Sequence, residues 1–363
     1  MLTLRNDITK VKEINVELIK SSLKHLGTAT KAQIAEDTDI SVATCGKILN
    51  ELCKTGEVLE SEITFGGYGR PAKSYVYNGN YSVIACIYAE NEKQTAHLSV
   101  VVSNLLGEII EEVSSDVSDV TCELLEDNVG ELVGRYSNLR AVAIGIPGFI
   151  TNDIVDLCNF VNLMGIPLQC QLQEKFPQLQ IVVENDMNAA AYGFYRNSCW
   201  GQNTTIGFIY SPVNPLTEVE IKMKGRESVN GNNLLNYGIN FGAGFVSGGK
   251  ILRGATGFSG EVAFLPMANL TGEKPHEVTE EMMAYIIGSI VPILNPQVIA
   301  LTGVYFNIEQ IDEIRERCFR LISSQHMPEI IMRNDIHEDY VDGLLSLALK
   351  ALSCGIALIE RQV

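Results

Sequence analysis

The sequence predicts an α/β protein: a small N-terminal helical unit closed by a β-hairpin, then a large body of alternating strands and helices. Three observations carry this expectation. Residues 1–80 hold helical patterns punctuated by capping residues and end in a glycine-rich turn between alternating segments. From Tyr81 onward, short apolar runs such as "YSVIACIYAE", "RAVAIGIPG", "LQIVVEND" and "TTIGFIY" alternate with helical stretches and end at glycine turns. The chain has 363 residues, 46% of them hydrophobic, enough for two or three folding units with a sizeable core.

Within the first 80 residues, a helix is expected from about Asp7 to Leu26, with Val11, Ile14, Leu18, Ile19 and Leu23 at helical spacing and Gly27 as its stop. Thr30 suits the N-cap of a short helix through Glu36, whose Ile34 and Ala35 face inward. Ser41 suits the N-cap of a third helix with Ile48, Leu49 and Leu52 on its buried face and Gly56 at its end. "EVLESEITFGGYGRPAKSYVYN" then alternates about a Gly-Gly-Tyr-Gly turn, as a hairpin does. This order is that of a winged helix-turn-helix. A tight turn near Asp39 sets the third helix across its predecessor, so its first residues project toward a major groove. Ser41, Val42, Thr44, Cys45 and Lys47 are the candidate DNA contacts there. Arg70, in "GYGRPAK", is placed to enter a minor groove, with Lys73 beside it. A small helical protein-interaction domain has the same helical pattern. The Gly-Arg-Pro of the hairpin favours DNA, because no packing need explains an exposed arginine in a glycine turn.

The formal charge of −17 is unevenly placed. Residues 1–80 hold ten Lys/Arg and ten Asp/Glu, so all the excess negative charge lies on the body. A DNA-facing surface on the first 80 residues is therefore permitted, though not required. The nine cysteines are scattered without a CxxC spacing, which argues for reduced thiols rather than disulfides or a zinc knuckle. No run of about 18 apolar residues exists, and "MLTLRNDITKVKEIN" is too charged for a signal peptide, so a cytoplasmic protein without membrane contact is expected. The polar stretch 211–236 has the composition of an inserted hairpin or loop.

The motifs "GRPAK", "AIGIPG", "VENDMNAAAYGFY" and "GINFGAGFVSGGKILRGATGFSGE", in this order, resemble the ROK family of bacterial sugar repressors and sugar kinases. The most specific parts are "ENDMNAAA" and "GGKILRGATGFSGE". The resemblance implies a two-lobed, actin- and hexokinase-like body with its ligands in the cleft between lobes. It divides the chain into a winged helix-turn-helix at 1–80 and a body at 81–363. Lobe 1 would take about 81–180 and the C-terminal helix, and lobe 2 about 181–340. Asp186 matches the family's catalytic base, Asn185 its sugar-binding neighbour, and Glu261 the glutamate that holds sugar hydroxyls. Asn162, in "NFVNLMGIPL", resembles a further sugar contact.

Against that pattern, the phosphate side departs. Where family kinases carry an Asp-Ile-Gly-Gly-Thr-like turn, this chain reads "IYAENEKQTA", with Glu90 and Glu92 where anions would bind. The second phosphate loop, Gly-Thr-Gly in kinases, is Gly238-Ile239-Asn240, and the late Gly-Gly-Gly is "TGVYF". Phe264 stands at the family's zinc-binding histidine, and no cysteine cluster follows it. Phe264, Leu265 and Pro266 suggest a hydrophobic plug in place of the metal. ATP, a metal and any other cofactor are therefore not expected, and Asp186 would be a vestigial base. Helix capping would also explain Asn185 and Asp186, and an ion pair would explain Glu261. The expected protein is a ROK-type regulator, a dimer or dimer of dimers on a palindromic operator in duplex DNA, responding to a sugar-like effector. A sugar kinase with an accessory domain, or a regulator whose body only dimerises, remain as alternatives.

Overall fold

The computed structural model describes residues 2–63, 72–92, 95–198, 200–201, 203–211, 241–265 and 278–352. Of the expected insertion, Ser211 ends a strand and 212–236 lie outside these residues, as do the 238–240 loop, Arg70 and Pro266.

Helix α1 (Leu2–Leu26) leads through β1 (Thr28–Thr30) to α2 (Lys31–Thr38) and α3 (Val42–Thr55). Thr30 caps α2 through a capping box with Gln33, satisfying two amide donors at once. Asp39 takes a left-handed φ of 57°, which turns the chain sharply before α3. Ser41 caps α3 by accepting from the Thr44 amide at 3.2 Å, and Gly56 ends the helix with φ 82°. Strands β2 (Val58–Ile63) and β3 (Ala72–Tyr77) pair antiparallel, and β1 joins the other edge of β3. Ile19, Leu23, Ile34, Ile48, Leu49, Leu52 and Tyr75 close the core beneath them.

Cys45 corrects an expectation. It is fully buried, and its thiol points at the Ile40 carbonyl, 3.7 Å away. Positions 45, 48, 49 and 52 form one helical stripe, so the cysteine turns inward with the leucines and cannot reach a base edge. Ser41, Val42 and Lys47 are exposed, and Thr44 is half-buried. Lys73 is exposed and bonds Glu60 at 2.7 Å.

The rest of the described chain builds one topology twice. In the first sheet, β4 (Val83–Glu92), β5 (Thr95–Asn104) and β6 (Ile109–Val117) form an antiparallel meander. Helix α4 (Cys122–Arg135) leads to β7 (Leu139–Ile146), which joins β4 in parallel. A ribbon of β8 (Gly148–Thr151) and β9 (Ile154–Cys158), then α5 (Leu168–Lys175), precede β10 (Gln180–Asn185), parallel to β7. After α6 (Asp186–Asn197), the second sheet repeats the plan. Strands β11 (Thr205–Ser211), β12 (Gly242–Ser247) and β13 (Lys250–Ile251) pair antiparallel. Helix α7 (Glu280–Leu294), β14 (Val298–Gly303), α8 (Ile308–Phe319) and β15 (Glu329–Met332) supply the parallel half. The final described helix is α9 (His337–Leu352). A division at residue 181 would cut β10, which hydrogen bonding assigns wholly to the first sheet.

Helices α6 and α9 lie between the two sheets: α6 packs on β11 and β12, α9 on β4, β7 and β10. Their contact is backbone to backbone. A Cβ on Gly193 would stand 1.8 Å from the Asp339 carbonyl oxygen, and one on Gly343 1.9 Å from that of Ala189. The alanines 189–191 on α6 and Leu344, Leu345 and Ala348 on α9 fill the same central core. Among the described residues, no helix is long and apolar enough to cross a membrane.

Candidate functional site

A cleft of about 300 Å³ opens where strands of both sheets end. The carboxyl end of β7 supplies Pro147 and Gly148, β4 supplies Glu90, and β10 runs into Asn185 and Asp186 at the start of α6. From the other side come Tyr210, Gly242 and Glu261, and α9 adds Tyr340. Parallel strands end here with side chains projecting past the sheet, which is where α/β folds hold ligands.

Asn185 is fully engaged by the fold. Its Oδ1 accepts from the Asn188 amide at 2.9 Å, capping α6, and its Nδ2 donates to the Gly148 carbonyl and to Asp186 Oδ1, both at 2.9 Å. It fixes the position of Asp186 and of the Gly148 turn. Asp186 Oδ1 also accepts from the Met187 amide at 2.8 Å, while Oδ2 makes no hydrogen bond among the described residues. Burial pushes the Asp186 carboxyl up to about 7, against the Met187 amide and Asn185, which favour the carboxylate; nearby Glu90 adds to the rise. Tyr340 is buried, its hydroxyl has no hydrogen-bond partner among the described residues, and burial holds it well above the ordinary phenol range, with Asp186 and Glu90 adding to the shift.

The cleft thus carries three carboxylates, Glu90, Asp186 and Glu261, and no Lys, Arg or His among its described lining residues. Such a surface accepts hydrogen bonds from hydroxyl groups and repels a phosphoryl group. Asn162 does not line it: its side chain donates to Asp119 on the surface. Asn159, three residues earlier in the same segment, lines the cleft instead. Both asparagines sit in "NFVN", and only the bend after β9 decides which one turns inward.

The glutamate of "VVEND" escaped sequence reasoning. Glu184 is 4% exposed and accepts from Arg253 Nε at 3.0 Å and from Arg253 Nη2. Its other oxygen accepts from the Asn185 amide and Asn188 Nδ2, each at 3.0 Å. The carboxylate therefore clamps the loop after β13 onto the start of α6. The signal was a carboxylate directly after the apolar run Ile181–Val183 of a strand, since a buried charge demands partners.

Phe264 packs edge-on against Phe258 at 5.0 Å between centroids, and Phe258 against Phe149 at 5.5 Å. Phenylalanine offers no metal ligand, and among the described residues no group of three His, Cys, Asp or Glu is placed to hold an ion. The residues present do not fit the family's zinc site, and aromatic packing holds this loop against β8.

A twice-built sheet motif around a central helix pair, with a cleft at the strand ends, is a hexokinase-like fold. The ROK family pattern matches residues 95–210 of this chain. It is 26% identical to the xylose repressor of Caldicellulosiruptor bescii over 70% of this chain and 59% of that protein. It is 24% identical to the xylose repressor of Bacillus spizizenii over 71% and 62%. The matches thus span less than two thirds of these relatives' length. Among solved structures, a ROK family transcriptional regulator described as a homologue of the E. coli MLC protein superposes with a TM-score of 0.65. It is 16% identical, over 94% of this chain and 97% of that one. A ROK family glucokinase from Streptomyces griseus, solved with glucose and AMPPNP, gives 0.50 at 15% identity, over 74% of this chain and all of that one.

Proposed function

We propose that the protein is a DNA-binding transcriptional regulator of the ROK type, a repressor of carbohydrate-related genes that responds to a neutral sugar and has no kinase activity. The observation that carries this reading is the cleft: carboxyl groups that accept from hydroxyls line it, and no Lys, Arg or His among its described lining residues could meet a phosphoryl group. Three helices with a capped third helix and a β2–β3 hairpin support a winged helix-turn-helix at 1–80. Its contacts would be Ser41, Val42, Thr44, Lys47 and Lys73, with Arg70 in the wing. The kinship with xylose repressors supports the repressor reading and a pentose as the first ligand to try.

Sugar would bridge Asp186 on one side of the cleft and Glu261 on the other. Closing the cleft would then turn α6 and α9 and change the spacing of two DNA-binding units in a dimer. The test is a thermal-shift and calorimetric screen of neutral sugars and their phosphates, with ADP release followed alongside. A neutral sugar should raise Tm saturably. Glu261→Ala and Asn159→Ala should each weaken it about ten- to a hundredfold, equivalent to roughly 1.4–2.8 kcal/mol. Asn162→Ala should leave affinity unchanged. Sugar-dependent ADP release abolished by Asp186→Asn would overturn the reading.

A further inference from the structure

A groove of about 730 Å³ runs between the N-terminal unit and the body. Its cations come from three segments far apart in sequence: Lys24 in the last turn of α1, Arg196 in the last turn of α6, and Lys350 near the end of α9. Two are steered by aromatic faces, Lys24 Nζ lying 4.5 Å from the Tyr77 ring centroid and Lys350 Nζ 5.3 Å from that of Tyr192. Asp342 is the carboxylate in the lining, and it accepts from Asn197 Nδ2 at 2.7 Å. Arg196 makes no ion pair among the described residues.

On a chain of net charge −17, this convergence runs against the general trend. Each cation complements the partial negative charge at its own helix end, which explains one basic residue per helix. That effect does not explain why three such ends meet on one groove. Burial lowers the Lys350 ammonium below its usual range, and Arg253, Lys250 and Arg196 lower it further by repulsion. Burial likewise lowers Lys24, opposed by Glu17 and Glu57, with Lys20 lowering it further.

We propose that this groove is an anion site for a small phosphate-bearing metabolite, held by Lys24, Arg196 and Lys350 and separate from the acidic cleft. Clustered cations with steered ammonium groups and a guanidinium fork suit phosphate oxygens. An anion there relieves the mutual repulsion and ties α1 to α6 and α9, so its occupancy stiffens the joint between the N-terminal unit and the body. The cleft, lined by carboxylates, cannot take the same ligand.

The probes are pyrophosphate and inorganic phosphate, titrated into the full chain at constant ionic strength with thermal unfolding as the readout. Pyrophosphate should raise Tm saturably, by roughly 3–6 °C at about a hundredfold excess over Kd. Arg196→Gln combined with Lys350→Gln should raise the half-saturating concentration at least about tenfold. Residues 24, 196 and 350 are each exposed as a whole, although the groove desolvates the Lys24 and Lys350 ammonium groups, so the fold should tolerate the changes. Glu261→Ala should leave the pyrophosphate response intact, which separates this site from the sugar cleft. A response to inorganic phosphate equal to that of pyrophosphate would still support the site, narrowing it to one phosphoryl group. No saturable shift up to about 10 mM, or equal shifts in wild type and the double variant, would overturn the proposal. Operator binding weakened in the double variant without any anion present would reassign these cations to DNA.

Discussion

At the scale of single residues, ionisation at the cleft floor leaves a mark on stability. Asp186 holds its proton to about pH 7 in the fold, because burial disfavours the carboxylate. The unfolded chain releases the same proton near pH 4. Between those values the native state binds more protons, so the Asp186 contribution to stability falls as pH rises through that window and is constant above it. Asp186→Asn keeps the Oδ1 acceptor for the Met187 amide and removes the charge. It should therefore stabilise the protein by about 1–3 kcal/mol at pH 8 and by little at pH 4.5, measured by urea unfolding at both values. An equal effect at both would mean that the carboxyl titrates normally. The "END" motif made Asp186 visible in the sequence, but its raised pKa was not, because burial belongs to the folded surroundings. Asn159 and Asn162 make the same point: identical residue types in one segment have opposite fates, decided by the bend between β9 and α5.

Among the elements, the α6–α9 crossing is the most constrained contact. Gly193 and Gly343 bring the two helix backbones together, with no room for a side chain at either position. Gly343→Ala forces the helices apart between two sheets that both rest on them. The expected loss is roughly 2–4 kcal/mol, read as a lower denaturation midpoint, with ligand affinity weakened because α6 carries Asp186. Gly134→Ala, on α4 where a Cβ meets nothing within 4 Å, serves as the control and should not destabilise. Capping residues at Thr30, Ser41 and Gly56 let α2 and α3 be placed from sequence, since caps act within one turn of chain. The pairing of α6 with α9 spans some 150 residues and left no local trace.

For the whole molecule, the division of charge sets the DNA prediction. The body carries the excess negative charge, leaving the neutral first 80 residues as the surface for a phosphate backbone. A paired protein should select a roughly palindromic site with half-sites one or two helical turns apart. Selection from random DNA should recover such a motif. Thr44→Ala should relax base preference at one position per half-site, at a cost of about 1–3 kcal/mol. Cys45→Ala should lower stability without changing that preference, because the thiol lies in the core. An altered motif from Cys45→Ala, or none enriched by the wild type, would refute the assignment of this helix.

The sequence by itself determined the order of the N-terminal elements, the leucine and isoleucine positions that α2 and α3 bury, the glycine turns at strand ends and the "END" and "SGE" carboxylates. These depend on patterns a few residues long. Only the tertiary structure decided that Cys45 faces inward, that Asn159 rather than Asn162 meets the cleft, and that Glu184 locks onto Arg253. It alone brought Lys24, Arg196 and Lys350 to one groove. Those outcomes depend on which surfaces distant segments bury against one another, and burial, unlike periodicity, is a property of the assembled chain.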